Sequence, residues 1–169
     1  MQRRQRIGLI SDTHGLLRPE ALEAMRRSER IIHAGDIGDP RILDALAAIA
    51  PVIAVRGNND RDAWAARLPS VARVSVAGVQ LLVIHDLAQL DCDPAAEGIG
   101  VVVAGHSHLP LIERRDGVLY VNPGSAGPRR FRLPIAVAML EIAATRVEAR
   151  AIQLDGTKRP RLRSIPRQP

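Results

Sequence analysis

The chain has 169 residues, a length that suits one compact domain, and 46% of them are apolar, enough for a sizeable core. Only Trp64, Tyr120 and Phe131 are aromatic, which argues against a track that stacks single-stranded nucleic acid base by base. The formal charge of +6 lies at the ends: Arg3, Arg4 and Arg6 near the start and Lys158, Arg159, Arg161, Arg163 and Arg167 near the finish leave residues 7–155 at a net −2. The basicity therefore reads first as solvated tails and second as a loose grip on nucleic acid or another polyanion.

Cys92 is the sole cysteine, so no intrachain disulfide can form, which fits a reducing compartment. The apolar run after Met1–Arg6 breaks at Ser11-Asp12, and no run approaches the ~20 residues that span a bilayer. A cytoplasmic protein with no membrane partner is expected.

In chain order, the β-branched run Arg6–Ser11 predicts a first strand. Pro19 opens a helix over Glu20 to Glu29. Arg30–Ala34 predicts a second strand. Asp39-Pro40 opens a second helix, Arg41 to Ala50, with Ile42, Leu43, Leu46 and Ile49 inward, and Val52–Val55 predicts a third strand. This alternation implies βαβ units and a parallel sheet. Val71–Val76 and Val79–Ile84 then flank Ala77-Gly78 as a hairpin. A short helix near Asp93–Glu97 and a buried strand Val101–Ala104 follow. Leu111–Arg115 and Val118–Val121 flank Asp116-Gly117, the strongest short hairpin signal in the chain. Ile135–Ile142 and Arg146–Leu154 predict two last strands around Ala143–Thr145. The pattern reads as two sheets with helices outside, in one domain over residues 1–155, and the Pro- and Arg-rich stretch 156–169 reads as a flexible tail.

Chemistry-bearing residues follow the strands. Asp12-Thr13-His14 follows the first, Gly35-Asp36 the second and Gly57-Asn58-Asn59-Asp60 the third; His85-Asp86 and Gly105-His106-Ser107-His108 follow later apolar runs. In open α/β sheets ligands gather outside the carboxyl ends of strands. Glycines before Asp36, Asn58 and His106 let the chain turn sharply and let a ligand approach the backbone. Two carboxylates, one carboxamide and four imidazoles form a donor set that suits Mn, Fe, Zn, Co or Ni better than Ca or Mg. Seven donors fit two ions when a carboxylate bridges them.

These motifs, in this order, resemble the calcineurin-like metallophosphoesterase family, most closely its small single-domain bacterial and archaeal phosphodiesterase branch. The resemblance runs from about Ile7 to Ala151 and extends to Asn122-Pro123-Gly124-Ser125. It implies a four-layer αββα sandwich: two mixed β-sheets flanked by helices. It implies that Asp12, His14 and His108 hold one divalent ion, that Asn58, His85 and His106 hold a second, and that Asp36 bridges them. Manganese is the leading choice, with iron, zinc, nickel and cobalt compatible. It further implies that a metal-bound hydroxide attacks a phosphodiester, with Asp36 and Asn58 the residues nearest the chemistry and Asn58 touching the phosphate. Asn59, Asp60, Ser107, Asn122 and Ser125 are candidates to contact the substrate or to support the ligands.

Three positions depart from the family pattern. Asn59 stands where many members carry histidine; an amide donates a hydrogen bond but cannot deliver a proton. His85-Asp86-Leu87 stands in place of His-Gly-His, keeping the ligand and losing the residues after it. Ser107 replaces a common threonine, a minor change.

Each motif alone has a plainer reading. A single histidine caps or decorates a surface, Gly57-Asn58-Asn59-Asp60 is a good turn, and so is Asn122-Pro123-Gly124-Ser125. His33 reads as a packed group at a strand end, Arg56 as a structural cation, Arg129 and Arg130 as a solvated loop, and Cys92 as inert. The joint pattern is what indicates an enzyme. A non-catalytic scaffold on the same fold and a nuclease using the basic tails are the competing functions. The substrate is a small-molecule or nucleotide phosphodiester, with nucleic acid open, and the oligomeric state is not readable from the sequence.

Overall fold

The computed structural model describes residues 4–144 and 146–155; Thr145 of the last predicted turn and the basic stretch 156–169 lie outside the described residues. Two five-stranded sheets face each other. The first is built from β1 (Gln5–Ile10), β2 (Arg30–His33), β3 (Val52–Ala54), β9 (Ala136–Ala143) and β10 (Arg146–Gln153), in the order β10-β9-β1-β2-β3. The second is built from β4 (Val71–Val76), β5 (Val79–Ile84), β6 (Ile99–Val103), β7 (Leu111–Arg115) and β8 (Val118–Asn122), in the order β4-β5-β6-β8-β7. In each sheet three strands run parallel, β1-β2-β3 and β5-β6-β8, and the others pair antiparallel.

Alternation along the strands sets the layers. Ile7 and Leu9 of β1 pack with Ile32, Leu81, Val83, Val101, Val103 and Leu140 between the sheets. Ile10 and Ile31 face the other way, against α1 (Pro19–Met25) and α2 (Pro40–Ala47) through Ala21, Met25, Ile42 and Leu46. Gly8 lets α1 approach, because a Cβ there would collide with Met25 and Ser28. The outer face of the second sheet is covered by a thinner layer, in which Leu87, Leu90 and Cys92 lie over Leu82, Ile84 and Val102.

The elements differ from expectation mainly in length. Helix α1 ends at Met25, not Glu29, because Glu29 N–H must reach Arg6 O to bring β2 alongside β1. Helix α2 starts on Pro40 with Asp39 capping Arg41 N–H at 2.9 Å, and ends at Ala47. The helix expected near Asp93–Glu97 is a single turn: Asp93 O accepts from Glu97 N–H at 3.1 Å, and Gly98 at φ 70° stops it. Both predicted hairpin turns form, with positive φ at Ala77, Gly78, Asp116 and Gly117, as primed turns require. Among the described residues no helix is long and apolar enough to cross a membrane.

Candidate metal centre

All six parallel strands end at the same rim, so their following loops converge. β1 delivers Asp12 and His14, β2 Asp36, β3 Asn58, β5 His85, β6 His106 and His108, and β8 ends on Asn122. The loops must bend abruptly to bring the side chains inward. Asp12, His14, Asp36, His106 and His108 all have φ between 45° and 67°. Residues with side chains rarely adopt this conformation, though Asp and His tolerate it best, and such strain concentrates at functional sites.

The side chains form two groups that share Asp12. Asp12, His14 and His108 bring one donor atom each within 4.8 Å of one another, and so do Asp12, Asp36 and His85. His108 Nε2 lies 3.2 Å from Asp12 Oδ1 and 3.3 Å from His14 Nε2. Asp36 lies between the groups, with Oδ2 3.7 Å from His14 Nε2 and Oδ1 3.5 Å from His85 Nε2. Asn58 Oδ1 is 3.1 Å from both His85 Nε2 and His106 Nδ1. All seven residues predicted from the motifs are therefore brought together.

The unsatisfied atoms show what the site would accept. Asp12 is fully buried; its Oδ2 accepts from Ser11 Oγ at 2.7 Å and from His106 N–H at 3.1 Å, while its Oδ1 has no hydrogen-bond partner. An orphaned buried acceptor costs about 1–3 kcal/mol, more when charged, and a cation removes that cost. His85 Nδ1 donates to Ala34 O at 2.7 Å, which fixes its tautomer and turns the Nε2 lone pair inward, as a ligand histidine requires. The residues present thus fit divalent metal binding. His108 Nδ1, by contrast, is buried without a partner.

The electrostatics agree. Burial would raise the Asp36 carboxyl, but His85 and the two Asn59 donors outweigh it and hold the carboxyl well below its usual range. Burial would likewise lower His85, yet Asp36 and the Ala34 carbonyl outweigh it and raise its affinity for a proton. His14 is lowered, chiefly by burial. Without a metal, the centre attracts positive charge to the Asp36–His85 side.

The supporting candidates hold the loops. Asp60 accepts from the N–H groups of Gly57, Ile37 and Gly38 at 2.8, 3.1 and 2.9 Å, locking the β2 loop to the β3 loop. Asn122 Nδ2 donates to Gly105 O at 2.6 Å and to Ser107 Oγ at 3.0 Å, while its Oδ1 accepts from Gly124 N–H, so it braces the His106–His108 loop. Ser125 Oγ donates to Asp12 O at 2.9 Å. Asn59 lies exposed at the mouth, but its side chain is directed at Asp36. His33 is the packed group expected: Nδ1 accepts from Gly35 N–H, Nε2 donates to Thr13 Oγ1 at 2.9 Å, and Thr13 passes the chain on to Ile37 O.

Two roles were not visible in the sequence. Ser11 fixes Asp12 by accepting no metal itself but donating to Oδ2. Asp86, a departure from the family pattern, places Oδ2 3.8 Å from His106 Nε2, where it can orient that ring. Gly57 and Gly105 also act otherwise than expected. A Cβ on Gly57 would collide with Asp36, and one on Gly105 would collide with Ser11 and sit 2.8 Å from Asp12 Oδ2. These glycines make room for the ligands' own carboxylates.

Residues 6–145 match the model of the calcineurin-like phosphoesterase superfamily domain. The chain belongs to this superfamily. It is 35% identical over 159 residues to a probable metallophosphoesterase of Methanothermobacter thermautotrophicus, covering 87% of this chain and 91% of that protein. Among solved structures it resembles an archaeal phosphodiesterase, with TM-score 0.76 and 25% identity over 89% of this chain and all of that one. It also shares its fold with vacuolar protein sorting 29 of Cryptosporidium parvum, with TM-score 0.71 and 15% identity over 90% of this chain and 98% of that one. Two mixed sheets with few helices are the architecture of these calcineurin-like relatives.

Proposed function

We propose that this calcineurin-like phosphoesterase is a phosphodiesterase working with two divalent first-row ions, manganese first among them. The observation that carries the reading is the orphaned Asp12 Oδ1, facing His14 and His108 on one side of an Asp36 that reaches His85 on the other. Asp12, His14 and His108 would hold one ion and Asn58, His85 and His106 the other, with Asp36 shared between them. When bound, the ions would neutralise phosphoryl oxygens and lower the pKa of a coordinated water.

The chain's own residues supply position and charge. Asn58 turns its Oδ1 to the two histidines, which leaves its amide nitrogen to donate to a phosphoryl oxygen at the exposed mouth. Asn59 is committed to Asp36 and has no proton to give a leaving group. That favours diesters whose alcohol departs without a protein acid. The likeness to an archaeal phosphodiesterase supports the same class.

The likeness to vacuolar protein sorting 29 prompts the second reading, a non-catalytic scaffold. The complete donor set weighs against it. Hydrolysis of bis(p-nitrophenyl) phosphate by metal-stripped protein after adding Mn²⁺, beside p-nitrophenyl phosphate, decides. Turnover of the diester that needs metal and disappears in Asp36→Asn supports the enzyme. No turnover of either ester with any first-row metal overturns it in favour of the scaffold.

A further inference from the structure

Only one of the three aromatic rings is fully offered to solvent. Trp64 packs against the helix-side core, and Tyr120 against the outer cluster with Arg115 5.0 Å above its face. Phe131 is 92% exposed. It also stands at φ 52°, the first central position of a turn closed by Leu133 N–H on Arg130 O at 3.1 Å. A turn with positive φ at that position favours glycine. A phenylalanine there combines backbone strain with exposed apolar area, and no packing in the fold offsets either.

This turn follows a segment tied to a loop of the metal centre. The segment leading to it is tied to the Asp12–Thr13 backbone: Ser125 Oγ and Gly127 N–H both donate to Asp12 O, at 2.9 and 3.2 Å. Arg18 donates to Gly127 O at 3.3 Å from the other side. The four residues that follow Gly127, ending at Phe131, reach at most about 14 Å. Arg129 is committed to Asp155 and Leu133 O, whereas Arg130 and Arg132 have no carboxylate partner among the described residues. Leu16, just past His14, and Leu109, next to His108, are 39% and 51% exposed.

We propose that Phe131, Arg130 and Arg132 form a rim that selects nucleotidyl diesters: a base stacks on the Phe131 ring and the arginines hold the next phosphate. The inference rests on the phosphodiesterase reading and names its substrate class. Stacking on an aromatic face is sequence-tolerant, and neighbouring arginines supply the charge that a phosphate needs. A glycerol or alkyl arm has no flat face to gain from the ring. One exposed ring serves one base, which suits a nucleotide or a short oligonucleotide and agrees with the scarcity of aromatics.

The test compares kcat/KM for p-nitrophenyl thymidine 5′-phosphate with that for methyl p-nitrophenyl phosphate, which has the same leaving group and no base. In Phe131→Ala, and in Phe131→Leu, which keeps apolar bulk, the ratio should fall about tenfold. Arg130→Gln should lower it for the thymidine ester carrying a 3′-phosphate. A binding readout needs no turnover: in Phe131→Trp, the added indole emission, measured against the parent protein, should be quenched by thymidine 3′,5′-bisphosphate and not by glycerol phosphate. An unchanged ratio together with no quenching overturns the rim. Should the parent protein cleave neither ester, the phosphodiesterase reading falls, and quenching alone then supports the rim or, by its absence, overturns it.

Discussion

Asn59 grips Asp36 twice: its backbone N–H donates to Oδ1 at 2.9 Å and its side-chain amide to Oδ2 at 2.6 Å. The residue standing where many relatives place a histidine therefore orients the carboxylate proposed to bridge the ions. Outer hydrogen bonds of this kind commonly change metal affinity or activity by about 10–100-fold. Asn59→Ala should weaken Mn²⁺ binding and diester hydrolysis by that factor, while leaving the thermal stability of the metal-free protein nearly unchanged. Isothermal titration and initial rates check it; an unaltered affinity would show that Asp36 needs no such support.

Metal binding should show as stability. A ligand at one hundred times its Kd stabilises the folded state by about 2.7 kcal/mol. For a chain of this size that raises Tm by roughly 5–10 °C. Mn²⁺ should produce such a shift in the chelator-treated protein, and Asp12→Asn should reduce it, because an amide offers the buried Oδ1 position only a neutral donor or acceptor while the Asn58, His85 and His106 side is left intact. A shift of equal size in Asp12→Asn would count against this ligand.

Gly57 leaves no room for a side chain beside Asp36. Gly57→Ala should push Asp36 aside, costing about 1–3 kcal/mol of stability by overpacking and most of the metal-dependent activity. Denaturant midpoints with and without metal read both effects. A variant with parental stability and activity would mean that the β3 loop yields freely.

His33 gives the metal-free protein a pH dependence. It is completely buried, and desolvation lowers its pKa from 6.5 to about 4, against the pull of Asp12 and Asp60. The folded pKa is the lower one, so the unfolded chain binds the proton more readily. Stability from this group is full above pH 6.5, is lost as the pH falls towards 4, and amounts to about 2 kcal/mol between pH 7 and 5. His33→Gln, whose amide can still donate to Thr13, should lower stability at pH 7 and flatten the fall towards pH 5 relative to the parent. Urea unfolding at the two pH values checks this; parallel curves would show that His33 is not the group titrating.

The strands, both tight hairpin turns and the convergence of the seven motif residues were legible in the sequence because each rests on a local signal. β-branched runs make strands, Asp116-Gly117 tolerates positive φ, and polar motifs directly after parallel strands must emerge at one rim. What Asn59, Asp60, Asn122 and Ser125 do was decided only by tertiary structure. Whether an amide or carboxylate contacts substrate or a distant N–H depends on which loops lie beside it, and Asp60 finds Ile37 and Gly38 only because β3 pairs with β2. The helices end earlier than their periodicity suggests because the chain must turn back to pair the next strand. Gly57 and Gly105 read locally as turn residues, yet packing makes them clearance for Asp36 and Asp12. Phe131 is one apolar residue among arginines in the sequence; the fold alone strains its backbone and exposes its ring, four residues beyond the Gly127 that is tied to Asp12.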